Sequence, residues 1–204
     1  MKTIKEITTA LKEATKIEPW MEAIKRDERA GVQKAWASFE RRLAKAQAVL
    51  AAHEQKLAFD ASYLPHPDAY IAGVDEAGRG PLAGPVVTAA VILPNNCQEL
   101  LGINDSKQLS KEVRESYVKR IKEHAISYSV HFQPAPVIDT VNIYEATRQS
   151  MVASIEGLNV QPDVVIADAM TLPINIPQHS FIKGDAKSLA IAAASILALS
   201  LIHI

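Results

Sequence analysis

The chain has 204 residues, 48% of them hydrophobic and 22% charged, with a net charge of -1 and a single cysteine. This is enough apolar material for one sizeable core plus an appendage. The near-neutral charge excludes a globally basic nucleic-acid binder, and the lone Cys97 excludes an internal disulfide. The charge is uneven: residues 1–60 carry 12 Lys and Arg against 9 Asp and Glu, while residues 61–204 carry 10 against 14. Lys2, Lys5 and Glu6 without an apolar stretch argue against a secretory signal, which together with the lone thiol places the expected location in the cytoplasm.

In chain order, Ile4 to about Phe59 reads as helical. It is rich in Ala, Lys, Glu and Gln, and Trp36, Phe39, Leu43, Ala46 and Leu50 recur three and four apart. Asp27 to Val32, with Gly31, predicts a break between two helices. Residues 1–62 thus form an α-helical N-terminal extension, either a packing hairpin or an accessory contact for nucleic acid or a partner. Pro65, His66 and Pro67 make a linker over 63–69.

Tyr70 to Pro94 reads as two strands around a glycine-rich turn. An apolar run ends in Asp75 and Glu76, Gly78, Arg79 and Gly80 follow, and Pro85 to Leu93 is a second apolar run. Two adjacent carboxylates at the edge of an apolar strand are opposed by desolvation and by mutual repulsion, so a hard divalent cation is the simplest compensation. Pro81 and Pro85 oppose the helix that a dinucleotide-binding loop would have to open here.

Gly102 to Ser110 is a polar loop in which Asp105 reads as a turn residue, and Ser110 caps a helix running to about His124. Ala125 to Gln133 alternates as a half-buried strand, Pro134 and Pro136 interrupt the chain, and a helix spans Ile143 to Leu158. Asp163 to Ala169 and Ser180 to Asp185 are short strands ending near Asp168 and Asp185, with a last helix from Ala186. The pattern predicts an α/β layered domain over 70–198 with a mixed central sheet, because the first turns are too short for parallel crossovers.

Asp75, Glu76, Asp168 and Asp185 therefore stand at strand ends, where open α/β sheets gather ligands. Four carboxylates suit Mg²⁺ or Mn²⁺ and suit zinc poorly. Two such ions activate a water and stabilise the leaving oxygen of a phosphodiester. Taken singly, Asp168 and Asp185 also read as turn caps after strands.

With those residues in place, the chain resembles ribonuclease HII. D-E-A-G-R-G-P-L-A-G-P-V-V at Asp75–Val87, N-D-S-K-Q-L-S at Asn104–Ser110, D-A-M at Asp168–Met170, and K-G-D-A-K-S with A-A-A-S-I at Lys183–Ile196 are similar to that family's motifs, in the same order. The resemblance implies an RNase H-like three-layer fold and a monomeric endonuclease acting on RNA–DNA hybrids and on ribonucleotides embedded in duplex DNA. It implies that Asp75, Glu76, Asp168 and Asp185 bind the metals, and that Gly78, Arg79 and Gly80 read the ribose 2′-hydroxyl. Glycines let backbone groups approach a sugar closely, and the 2′-hydroxyl is what separates RNA from DNA. Lys107, Lys183 and Lys187 are candidate phosphate contacts that would supply a local basic patch. After Ala198 the family pattern is lost, so Leu199 to Ile204 is expected to be a non-native tail. The alternative reading is then a non-catalytic nucleic-acid-binding fragment. A membrane anchor over Ala186–Ile204 is disfavoured by its minimal length and by Lys187.

Overall fold

Thr3 starts the first helix, α1 (Ile4–Glu13), with a capping box: its hydroxyl accepts from the Glu6 N–H at 3.3 Å while the Glu6 carboxylate accepts from the Thr3 N–H at 2.7 Å. The structure, a computed structural model, describes residues 2–80, 84–103 and 109–202, so Asp105 and Lys107 lie outside the described residues. After α1 come α2 (Met21–Lys25) and the 32-residue α3 (Ala30–Ala61). The expected two-helix extension is therefore three helices. The extra interruption falls before Pro19, whose ring disfavours helical backbone at the preceding residue. Gly31 lies in the first turn of α3 and not in the break.

The chain divides into two compact units, residues 1–51 and 52–204, which part inside α3. In the first unit, Ile7, Leu11, Met21, Ile24, Val32, Trp36 and Phe39 form a core of their own. Arg42 donates to the carbonyls of Leu11 and Ala14, both at 2.7 Å, satisfying the free end of α1.

The second unit holds a five-stranded sheet in the order β3-β2-β1-β4-β5: β1 (Ile71–Ala77), β2 (Val86–Ile92), β3 (Ser127–Gln133), β4 (Val164–Asp168) and β5 (Gln178–Phe181). β1, β2 and β3 pair antiparallel, while β1, β4 and β5 pair parallel, which is the mixed sheet expected. Every residue of β2 is buried, as befits a strand covered on both faces.

α4 (Lys111–His124) and α8 (Leu189–Leu201) cover one face, where Val87, Ala89 and Val91 meet Tyr117, Ile121 and the α8 side chains. α6 (Ile143–Glu156) covers the other, with Met151 and Ile155 on Val74, Ala90, Ile92, Val165 and Ala167. The result is the three-layer α/β arrangement. α8 carries on past Ala198 to Leu201, and Leu199, Leu201 and Ile202 pack against its core.

Two local expectations change. Pro134 and Pro136 do not simply interrupt the chain: they sit at the N-cap and in the first turn of α5 (Ala135–Val141), where a missing N–H costs nothing. The last strand ends at Phe181, paired with Asp168, and Lys183 turns the chain in left-handed backbone (φ 56°) into α7 (Gly184–Lys187). Asp185 is therefore a helical residue and not a strand-end one.

Candidate active site

The site is built where β1 and β4 end. The register pairs Val74 with Ala167, so Asp75 and Asp168 come level on adjacent strands. Alternation puts Asp75 on the face of Gly73 and Ile71, under α8, and Glu76 on the face of Ala72 and Val74, toward α6. Asp168 shares the α8 face with Ile166. Gly73 allows α8 to lie directly on β1: a Cβ there would stand 2.2 Å from the Ala190 carbonyl carbon and 2.4 Å from the Ile191 nitrogen.

Asp75 is 5% exposed. Burial pushes its carboxyl well above the usual carboxylate range, and the charges of Glu76 and then Asp168 push the same way. Hydrogen bonds from the Ser195 hydroxyl of α8 and from the Glu76 N–H, at 2.7 Å to Asp75 Oδ1, act against that rise. Burial likewise raises Glu76; the Arg79 guanidinium, 3.3 Å from Glu76 Oε1, lowers it, and Asp168 raises it. Glu76 Oε2 is buried with no hydrogen-bond partner among the described residues. A buried carboxylate oxygen without a donor, beside two further carboxylates, is what a hard cation would satisfy.

Asp168 Oδ1 accepts from the Gly184 N–H at 2.7 Å, which ties β4 to the start of α7. Asp185, half-buried, accepts from the Ala186 N–H at 2.9 Å. The structure thus brings Asp75, Glu76 and Asp168 within electrostatic reach of one another, with Asp185 joined to them through the Gly184 turn. The four do not form a finished coordination shell: among the described residues no three His, Cys, Asp or Glu side chains are grouped closely enough to hold an ion. Mutual repulsion opposes such a grouping, and each carboxylate spends part of its acceptor capacity on a local donor.

Gly78 has left-handed backbone (φ 98°), and an added Cβ would meet the Pro85 carbonyl at 2.5 Å and Ile202 Cδ1 at 2.6 Å. At Gly80 an added Cβ would meet nothing described within 4 Å. Arg79, Gly80, Lys183 and Lys187 are exposed, the two lysines flanking Asp185. Reading the sequence assigned no part to Ser195, Lys56 or Asp60. For Ser195 a signal was present, since it is the single polar side chain in the apolar run Leu189–Ala198.

The family model described as Ribonuclease HII matches residues 72–201, and that of the Ribonuclease HII N-terminal domain matches residues 3–64. A curated ribonuclease HII of Halalkalibacterium halodurans is 52% identical over 198 residues, 96% of this chain and 75% of that protein. This chain belongs to the ribonuclease HII family. Among solved structures, the ribonuclease H2 of Pyrococcus horikoshii OT3 superposes with a TM-score of 0.60 at 28% identity, covering 66% of this chain and 72% of that one. Bst-RNase HIII, solved in complex with Mn²⁺, shares the fold at a TM-score of 0.55 and 22% identity, covering 76% of this chain and 55% of its own. The N-terminal match ends at residue 64 and the other begins at residue 72, whereas the compact units part between residues 51 and 52, inside α3.

Proposed function

We propose that this protein is a divalent-metal-dependent endoribonuclease that cuts the RNA strand of RNA–DNA hybrids and nicks on the 5′ side of ribonucleotides embedded in duplex DNA. Family membership supports the reaction class, and the single observation that carries the site is the buried Glu76 Oε2, without a hydrogen-bond partner among the described residues, beside Asp75 and Asp168. Asp75, Glu76, Asp168 and Asp185 would hold Mg²⁺ or Mn²⁺. When bound, such ions supply Lewis acidity at the scissile phosphate and lower the pKa of the attacking water.

The remaining contributions come from the chain. Asp75 and Asp168 stand level on adjacent strands, and Ser195 anchors Asp75 from α8. Arg79 neutralises part of the Glu76 charge and is exposed enough to move to a phosphate. Gly80 has no described contact that forbids a side chain, so its use is explained by the approach of a sugar to the backbone. Lys183 and Lys187 stand exposed beside Asp185 for phosphates; Lys107 keeps that role as a proposal from sequence alone. The reading takes the enzyme as a cytoplasmic monomer. No described helix is long and apolar enough to cross a membrane.

The test maps products from a DNA duplex bearing one ribonucleotide, from an RNA–DNA hybrid and from an all-DNA duplex. The reading predicts a single cut 5′ of the ribonucleotide leaving a 5′-phosphate, cuts throughout the hybrid strand, and an untouched all-DNA duplex. A gel shift without cleavage would favour the non-catalytic alternative, which no structural observation favours.

A further inference from the structure

Two buried charged residues at the end of α3 face the turn that carries Asp185. Lys56 is 5% exposed and Asp60 8%. Asp60 Oδ2 accepts from the N–H groups of Leu189 and Ala190, at 3.0 Å each, and the Ser188 hydroxyl accepts from Ile191 at 3.0 Å. Three of the N–H groups that open α8 are therefore satisfied, two of them by a carboxylate from 129 and 130 residues away in sequence. One helical turn before Asp60, the Lys56 ammonium donates to the main-chain carbonyl of Asp185. The two side chains thus grip α7 and the start of α8 from one helix face, spaced as i and i+4.

Burying an ammonium and a carboxylate is costly unless each has partners. Here those partners are backbone groups of the segment 185–190, and the arrangement fixes where that segment lies. We propose that Lys56 is a positioning residue for Asp185. By holding the Asp185 carbonyl, with Asp60 holding the next turn, it sets the direction in which the Asp185 carboxylate is presented. The last turns of α3, which the N-terminal family model includes, are on this account a working part of the catalytic unit. The inference rests on the reading of Asp185 as a metal carboxylate.

The test uses the full chain as wild type, Lys56→Met, Lys56→Arg and Asp185→Asn. It measures Mn²⁺ binding by calorimetry without nucleic acid, and amide exchange of residues 184–190 in the metal-free protein, below the melting temperature of every variant. Lys56→Met is expected to weaken Mn²⁺ binding about tenfold, the lower end for loss of a residue that orients a ligand, and to speed exchange in 184–190 by a similar factor. Lys56→Arg, which keeps a cationic donor, is expected to restore most of both. Unchanged Mn²⁺ affinity in Lys56→Met, with Asp185→Asn binding weakly, overturns the positioning role and leaves the carboxylate reading intact. Unchanged affinity in Asp185→Asn overturns that reading and the inference with it. Should Lys56→Met not fold, Lys56→Gln carries the same comparison, because it removes the charge and its stem, one atom shorter, withdraws the donor from the Asp185 carbonyl.

Discussion

The Gly184 N–H donates to Asp168 Oδ1 at 2.7 Å, so the carboxylate that ends β4 also holds the turn that presents Asp185. Charge and acceptor are separable here. Asp168→Asn keeps an oxygen for Gly184 and relieves repulsion on Asp75 and Glu76. It is expected to melt no lower than wild type while losing nicking activity. Asp168→Ala should be equally inactive and less stable than the Asn variant by about 1–2 kcal/mol, the cost of a buried donor left unpaired. Denaturant titrations of both variants check this, and equal stabilities would show that the Gly184 bond contributes nothing.

Gly73 is needed for a different reason. A methyl group there would overlap the backbone of Ala190 and Ile191, which side-chain motion cannot relieve. Gly73→Ala should cost about 3 kcal/mol or more by forcing α8 off β1, read as a lowered urea midpoint. Retention of the wild-type midpoint would mean that α8 sits farther from β1.

The two glycines of G-R-G should part company. Gly78→Ala has to adopt left-handed backbone against the Pro85 carbonyl and should lose about 1–3 kcal/mol. Gly80→Ala meets no described atom and should stay within about 0.5 kcal/mol of wild type. If Gly80 serves the sugar, that variant raises KM for a single-ribonucleotide duplex about tenfold, equivalent to about 1.4 kcal/mol. A Gly80→Ala enzyme with normal KM would remove Gly80 from substrate recognition.

Asp60 makes stability depend on pH. Burial raises its carboxyl to about 6 from an unfolded value of 3.8, against hydrogen bonds from Ser188, Ala190 and Leu189 and the Lys56 charge. Between those values the folded chain keeps a proton that the unfolded chain has released. Stability therefore falls as pH rises through this window, and the penalty, about 3 kcal/mol, is fully present above it. Asp60→Asn keeps an acceptor but does not titrate, so its stability relative to wild type should grow by up to that amount from about pH 4 to about pH 7. Parallel pH profiles for the two proteins would contradict the assignment.

β1 and β2 were legible because their signals are local. A continuous apolar run ending in Asp75 and Glu76, and a β-branched run after the glycines, specify buried strands whatever surrounds them. Ser110 as the cap of α4 is local in the same way. The additional break in the N-terminal extension was hidden because Ala-rich, Lys-rich composition outweighed Pro19 as a signal. Asp185 was misplaced by a few residues since the end of β5 is set by its register with β4, which no short stretch of β5 encodes. Lys56 and Asp60 were invisible for a stronger reason: on a helix rich in charge they look like solvated residues, and their burial depends on a segment about 130 residues away.

We propose that this carboxylate cluster works by holding a divalent cation at the end of β1. The most direct measurement is the nicking rate on a duplex bearing one ribonucleotide, for wild type and Asp75→Asn, in Mn²⁺ and after addition of EDTA. Wild-type nicking is expected to stop in EDTA, and Asp75→Asn to be slower by at least about a thousandfold, the order lost when a main electrostatic contributor is removed. Nicking that survives EDTA, or an Asp75→Asn enzyme that keeps the wild-type rate, would contradict it.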